Sequence, residues 1–150
     1  MARIKDYLLI KRPIKVVFDY AADQRQEPSY NPAMVKCTKA TPGPIGVGTR
    51  FDSALRRRGG EVAMSSEVLA FDRPHSVTTR TTVGATVVTG TLSFVSESPT
   101  STRMAWDWQV RPTGWMRVLE PIIAPIGRRF ERRIWTGLRD RLESNDEDSV

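Results

Sequence analysis

The sequence predicts an α+β fold in which a seven-stranded antiparallel sheet curves around one long C-terminal helix. Two observations carry this prediction. From Met34 to Val110 the chain consists of strand-like segments, each about eight to ten residues long, separated by short Gly- and Pro-containing turns, as is typical of antiparallel pairing. Beyond Val110, apolar residues recur at helical spacing, at Leu119, Ile122, Ile126, Phe130, Ile134, Leu138 and Leu142.

Short elements occupy the N-terminal part of the chain. Residues 3–10 are predicted to form the first strand, and Pro13 then opens a short helix over 14–22. Proline suits that position because the first turn of a helix leaves its N–H groups unbonded in any case. A second helical turn is expected over 23–27 and should end at Pro28.

Six further strands are predicted, at residues 34–39, 49–57, 61–71, 76–83, 86–95 and 102–110. The first strand and these six make up the expected sheet. The strand at 61–71 has two competing inner faces, because Val62, Met64 and Val68 do not share a parity with Leu69 and Phe71. A β-bulge would resolve that conflict.

The final helix contains Pro121 and Pro125 within its periodic pattern. Either the helix begins at one of these prolines, after a separate turn around 115–119, or one longer helix is kinked there. We expect a main helix from about Pro121 to Glu143. Residues 1–143 are then one domain, and the acidic tail at 144–150 is expected to be disordered.

The composition excludes several kinds of chemistry. The chain has 150 residues, one cysteine (Cys37) and one histidine (His75), so an internal disulfide, a CxxC pair and a His-rich metal site are impossible. We therefore expect no metal and no cofactor. A Ser-His-Asp triad would need His75, which lies in a predicted turn and is expected to be an exposed turn histidine. The N-terminus lacks an apolar signal core, so a cytoplasmic location is expected.

Basic residues outnumber acidic ones, giving a net charge of +6 and a pI of about 10.0. Arg56, Arg57 and Arg58 stand at a predicted hairpin tip. Six others lie on the C-terminal helix: Arg128, Arg129, Arg132, Arg133, Arg139 and Arg141. The simplest interpretation is a solvated helix face whose Arg stems cover apolar surface. Nucleic acid is not the expected partner, because aromatic residues do not alternate with these arginines as in a base-stacking platform.

Four segments resemble, in order, the motifs of one superfamily: Ile10–Phe18 resembles I-x-x-P-x-x-V-F/W, Tyr30–Pro32 resembles aromatic-x-Pro, Gly43–Phe51 resembles G-x-x-G-x-G-T/S-x-F, and Val68–Pro74 resembles V-x-x-x-D-P-P. Together with the element order, they make the chain similar to the START/Bet v 1-like superfamily, also called SRPBCC, which includes polyketide cyclase/dehydratase-like proteins. The resemblance implies a helix-grip fold with an internal cavity between sheet and last helix. Members bind lipids, sterols, polyketides, quinones or plant hormones, and some are enzymes while others only carry or sense.

Side chains of the expected cavity wall can be named from strand parity and helix spacing. They are Tyr30, Phe51, Leu55, Leu92, Phe94, Met104, Trp106, Trp108, Ile122, Ile126 and Phe130. The alternative is that the same side chains pack together as a filled core. Two tryptophans two residues apart on one strand favour a cavity, since their flat indole rings could hold an aromatic or polyprenyl ligand.

Three functions remain open. The first is a carrier or sensor that binds a hydrophobic small molecule, such as a lipid, polyketide or isoprenoid-like compound. The second is a polyketide cyclase/dehydratase-like enzyme, which needs an inward acid or base; Asp6 and Glu67 are the candidates, whereas Asp107 and Arg103 should point outward. The third is an interaction protein that contacts a partner or an anionic membrane through its Arg-rich helix face. The sequence leaves the oligomeric state open.

Overall fold

A computed structural model describes residues 2–148 of the chain, with all of their side chains except those of Met116 and residues 145–148. Its strands are β1 (Ala2–Ile10), β2 (Met34–Lys39), β3 (Arg50–Arg57), β4 (Gly60–Asp72), β5 (Ser76–Val83), β6 (Thr86–Ser98) and β7 (Ser101–Pro112). The helices are α1 (Ile14–Ala22) and α2 (Glu120–Asp148). A 3₁₀ helix at Gln24–Ser29 follows α1, and a second one at Gly114–Leu119 precedes α2. The predicted element order is confirmed.

All seven strands form one antiparallel sheet in the order β1-β7-β6-β5-β4-β3-β2. The first and last strands of the chain are therefore neighbours, and α2 packs against β1. This is the predicted helix-grip architecture. The predicted bulge in β4 is also confirmed, because the pairing with β5 shifts by one residue between Val68 and Ala70.

Strand β1 shows why the sheet has a defined inner face. Ala2, Ile4, Leu8 and Ile10 are buried, while the residues between them are exposed or half-buried. A strand points successive side chains to opposite faces, so this alternation fixes the register against β7. The same face of the sheet continues into a dense aromatic packing at α1, where the Phe18 ring meets Phe94 edge-on at 5.2 Å between centroids.

One of the three prolines in the helical segments lies at a helix start, and the other two lie inside helices. Helix α2 begins at Glu120, directly after the 3₁₀ turn Gly114–Leu119, so Pro121 falls in its first turn as predicted. Pro125 lies inside the helix. The prediction for Pro28 was wrong: it lies within the 3₁₀ helix Gln24–Ser29 and does not end it. The fixed φ of proline, about −65°, is compatible with a 3₁₀ backbone, so Pro28 is able to lie inside that helix.

The C-terminal helix extends further than the sequence predicts. It continues through residues 144–148 of the expected acidic tail. Ser149 and Val150 lie outside the described residues, so the disorder expected of that tail and the domain boundary at 143 stay predictions. No helix within residues 2–148 is long and apolar enough to cross a membrane.

The inward face predicted for the first half of α2 was wrong. Ile122 and Ile126 are 50% and 62% exposed, although Ile134, Leu138 and Leu142 are buried as their spacing suggests. The reason is geometric. A step of four residues overshoots one helical turn by about 40°, so a row spaced by four winds off the buried face within a few steps.

Candidate functional site

A cavity of about 300 Å³ lies between the inner face of the sheet and α2. The sheet contributes mainly apolar walls: Ile4, Leu55, Val77, Val88, Leu92 and Val110. Helix α2 closes the opposite side with Ile123, Gly127, Phe130, Glu131, Ile134 and Trp135. The 3₁₀ helix Gln24–Ser29 and the residues after it supply one end, with Glu27, Tyr30 and Asn31. The volume is at the lower end of the range for small-molecule sites, which is about 300–1,000 Å³.

The structure divides the residues predicted for the cavity wall into three groups. Those that line the cavity are Tyr30, Leu55, Leu92, Trp108 and Phe130. Those that are buried in the core but do not line it are Phe51, Phe94, Met104 and Trp106. Ile122 and Ile126 are exposed on the outside of α2. Ligand contact by any of these residues stays a prediction.

The two tryptophans of β7 have different roles although they share one face of the strand. Trp106 is fully buried and its ring packs against Trp135 of α2, with centroids 6.1 Å apart. Trp108, two residues nearer the end of the strand, lines the cavity. One tryptophan therefore fills the space under the helix, and the next forms a wall of what is left.

Gly90 makes room for the Trp108 indole. The two residues are partners in the β6–β7 register, and a Cβ on Gly90 would lie 2.4 Å from Cε3 of the ring. It would also lie 2.1 Å from the backbone oxygen of Asp107. Only a residue without a side chain fits under this ring, so the glycine lets the indole lie across the neighbouring strand.

Glu131 is the central polar residue of the site. Both Trp108 and Trp135 donate their indole N–H groups to its Oε2 atom, at 3.0 Å and 2.9 Å. Its other oxygen, Oε1, accepts no hydrogen bond from the residues that the structure describes. Burial raises the pKa of Glu131 to about 7, although the two indole hydrogen bonds oppose that rise. The carboxyl group is thus held by one oxygen and presents the other.

Glu27 is a second carboxyl group on the cavity, contributed by the 3₁₀ helix Gln24–Ser29. Burial, and then the negative charge of Glu131, raise its pKa to about 7, while a hydrogen bond from Asn31 Nδ2 to Oε1 at 3.4 Å opposes this. Neither glutamate forms an ion pair within the described part of the chain. Near neutral pH both carboxyl groups are therefore partly protonated inside a mainly apolar space.

Tyr30 packs between an aromatic ring of α1 and one of α2. Its ring lies 6.2 Å from that of Trp135 and 5.8 Å from that of Tyr20, measured between centroids. Burial is the main cause of the rise in its pKa, so the phenol stays neutral in the ordinary pH range. It offers the cavity an aromatic face and a buried hydroxyl group.

The acids predicted from the sequence lie elsewhere, which corrects that expectation. Asp6 forms an ion pair with Arg132 at 3.0 Å, and Glu67 forms one with Arg80 at 3.4 Å, all on the surface. Neither lines the cavity. His75 is exposed in the turn between β4 and β5, as the sequence predicts.

Glu131 was not predicted to line the cavity, because arginines stand on both sides of it in the sequence. The segment from Arg128 to Arg133 reads as a solvated helix face. A signal was nevertheless present: Gly127, Glu131, Ile134 and Leu138 follow the i, i+4, i+7, i+11 spacing of one helix face. Glu27 gave no such signal, since a 3₁₀ helix of six residues is too short for a periodic pattern.

Comparison with known proteins identifies the family of this chain. A family model described as polyketide cyclase / dehydrase and lipid transport matches residues 1–143. No curated protein matches the sequence.

Solved structures are similar in fold. A protein from Thermus thermophilus is 17% identical, covers 95% of this chain and 98% of its own, and gives a TM-score of 0.79. A START superfamily protein from Mycobacterium smegmatis is 14% identical, with 100% of both chains covered and a TM-score of 0.74. The Zhui aromatase/cyclase from a Streptomyces species is 13% identical, covers 94% and 93%, and gives 0.75. At these identities the likeness shows a shared fold alone.

Proposed function

We propose that this chain binds one hydrophobic small molecule in its cavity as a carrier or sensor. The proposal starts from the fact that the chain belongs to the polyketide cyclase / dehydrase and lipid transport family. The observation that carries the proposal is the character of the cavity wall. It is mainly apolar, and the few polar side chains on it include Glu27, Asn31 and Glu131. Sites of this composition bind the apolar body of a ligand and orient it through a few polar contacts.

The wall also indicates what the ligand looks like. Tyr30, Trp108 and Trp135 offer aromatic faces, which suit an aromatic ring or an unsaturated chain such as that of a polyketide or isoprenoid. Because the pKa of Glu131 is about 7, its carboxyl group is able to donate to a carbonyl oxygen or accept from a hydroxyl group. We therefore propose a ligand with an apolar body and one oxygen-bearing group.

A fluorescent probe tests whether the cavity binds apolar molecules. N-phenyl-1-naphthylamine is neutral and becomes bright in apolar surroundings, so the wild-type chain should show saturable, one-to-one enhancement. The substitution Leu92→Trp fills the cavity and should weaken binding by about tenfold or more. The matched control, Leu9→Trp, adds the same ring at an exposed position of β1 and should bind like wild type.

Two results would count against the proposal. One is equal binding by both variants, which would place the probe on the surface. The other is the absence of saturable binding by wild type. Native mass spectrometry of the chain purified from its own host, followed by extraction of any retained molecule, then identifies the natural ligand class.

A second candidate function, acid–base catalysis on the bound molecule, is favoured by the state of Glu131. General acid–base catalysis is most effective when the pKa of the group lies near the working pH. Glu131 has a pKa of about 7, and two indole N–H groups fix its orientation toward the cavity. This arrangement suits proton transfer at a carbonyl-containing substrate, the step shared by cyclisation and dehydration of a polyketide chain.

Ring opening of 5-nitrobenzisoxazole tests this second candidate, since removal of one carbon-bound proton releases a coloured phenolate. Wild type should accelerate the reaction, with a rate that rises as pH passes through about 7. Glu131→Gln should lower the rate by about 100-fold, in keeping with the usual contribution of a positioned base. Glu67→Gln is the control, because it removes a surface carboxylate. Equal rates for wild type and Glu131→Gln would exclude Glu131 as the base.

A further inference from the structure

A row of exposed apolar side chains runs along the 3₁₀ turn Gly114–Leu119 and the first half of α2. Its members, which we call the outer strip, are Trp115, Val118, Ile122, Ile126 and Phe130. Trp115 and Val118 are 74% and 79% exposed. Over this short stretch the residues stay on one side, since spacing by three suits a 3₁₀ turn and each step of four in an α-helix shifts the row by only about 40°. A continuous apolar row of this length on the surface marks a contact site.

Arginines flank the outer strip. Arg117, Arg129 and Arg133 are exposed, and none of them forms an ion pair within the part of the chain that the structure describes. Glu131, on the same stretch of helix, faces the cavity and so does not neutralise them. The surface around the strip is therefore positively charged and apolar at once.

The outer strip and the cavity share one stretch of helix. Ile123 and Gly127 line the cavity, while Ile122 and Ile126 beside them face outward. Phe130 belongs to both sets, since it lines the cavity and is 44% exposed. The cavity wall thus reaches the protein surface within the outer strip.

We propose that the outer strip docks this protein on an anionic lipid bilayer, as a peripheral contact. Helices that lie in a bilayer interface combine a row of Trp, Phe or aliphatic side chains with basic residues, and bind more tightly when the lipid is anionic. The arginines beside the strip are complementary to lipid phosphates. A second copy of this chain is a poorer occupant, since pairing two such strips would bring the arginines of both copies together. Docking places the cavity wall at the lipid, where an apolar molecule passes without crossing water.

Vesicle sedimentation with the full chain tests the docking. Vesicles of phosphatidylcholine with phosphatidylglycerol should bind the protein at about 50 mM NaCl and release most of it at about 500 mM. Vesicles of phosphatidylcholine alone should bind it weakly. In vesicles made with brominated lipid, Trp115 fluorescence should be quenched, and Trp115→Phe should remove that part of the signal.

Paired variants separate the apolar and the charged contributions. Ile122→Ser with Ile126→Ser should weaken binding to anionic vesicles by about tenfold or more. Arg129→Gln with Arg133→Gln should do the same at low salt and flatten the salt dependence. The matched controls are Val47→Ser with Val95→Ser, which removes exposed apolar groups elsewhere, and Arg56→Gln with Arg57→Gln at the β3–β4 hairpin. Both controls should bind like wild type.

Three outcomes would overturn the proposal. The first is no binding to anionic vesicles at low salt. The second is a loss of binding that is as large in the controls as in the variants of the outer strip. The third is a dimer, seen by sedimentation equilibrium without lipid, that Ile122→Ser with Ile126→Ser dissociates; that result would assign the strip to a second copy. Probe binding in the cavity is measured separately, so failure here leaves the proposed function intact.

Discussion

Replacing Glu131 by Gln should make the protein more stable at alkaline pH. The amide oxygen of Gln still accepts the indole N–H groups of Trp108 and Trp135, and the side chain has nearly the same volume. What the substitution removes is the ionisation of a carboxyl group in a mostly apolar cavity. The comparison therefore measures the free energy of placing that charge inside the protein, together with its repulsion of Glu27.

The magnitude follows from the pKa values. The pKa of Glu131 is raised from 4.5 to about 7 in the folded protein, so the folded state holds this proton more tightly than the unfolded chain does. That contribution to stability is complete below the unfolded pKa and is lost as pH rises through 7. Between about pH 5 and about pH 8, wild type loses about 2.5 kcal/mol through this group. Glu131→Gln lacks that loss.

Urea unfolding followed by circular dichroism, at several values between about pH 5 and about pH 8, measures this difference. At the acidic end the two proteins should have free energies of unfolding within about 1 kcal/mol of each other. At the alkaline end the variant should be more stable by about 2–3 kcal/mol. Asp19 and Asp107 do not interfere, since their pKa values are lowered and they stay ionised over this window.

Glu67→Gln is the matched control, because Glu67 lies on the surface beside Arg80. Exposed pairs of this kind contribute about 0–1 kcal/mol, and the difference from wild type should be the same at every pH. The reasoning would be refuted if Glu131→Gln were less stable than wild type at about pH 8, or if its advantage did not change with pH.

Three further substitutions test other parts of the structure by the same unfolding measurement. Trp108→Phe keeps the ring but removes one donor to Glu131, and should lower stability by about 1.5–3 kcal/mol above neutral pH, with a smaller effect in acid; a pH-independent effect would contradict it. Gly137→Ala puts a methyl group 2.5 Å from the Tyr30 carbonyl oxygen, and should destabilise by about 1–3 kcal/mol although alanine favours helix. Ile126→Ser should change stability by no more than about 0.5 kcal/mol, and a loss above about 2 kcal/mol would mean that Ile126 packs inward.

The sheet could be predicted from the sequence because its signals are local. Turn residues mark the ends of each strand, and alternation within each strand fixes its inner face. Even the bulge in β4 was visible, since Val68 and Leu69 belong to opposite faces of an unbroken strand. Pro121 similarly marks the first turn of α2.

The face that α2 turns toward the sheet could not be predicted from spacing alone. The row that includes Ile122 and Ile134 looks continuous in the sequence, yet it winds around the helix, and only packing decides which part is buried. The buried face uses Gly127, a residue that hydrophobic patterns pass over. In the first half of α2, a search for apolar side chains at this spacing therefore finds the outer strip and misses Ile123 and Gly127 beside it.

The two carboxyl groups of the cavity could not be predicted for a different reason. A charged residue in a sequence is expected to be exposed, because burying it costs free energy unless it is paired. Glu131 is tolerated inside because two indole N–H groups hold it, and these come from positions 23 residues away in β7 and four residues away in α2. That combination exists only once the helix lies on the sheet.

Two close contacts between α2 and the rest of the protein limit how far the helix is able to move relative to the cavity. At Gly137 the helix backbone meets the backbone of Tyr30, leaving no room for a Cβ, and at Gly127 a Cβ would meet the end of the Ile4 side chain, which would have to move. These contacts stand on both sides of Glu131 and set the height of the helix above the sheet. Leu92 and Val77, which line the cavity from the sheet, take no part in either contact. The contacts that hold the helix are thus separate from the side chains that Leu92 and Val77 present to the cavity, so one backbone is able to accommodate molecules of different shape.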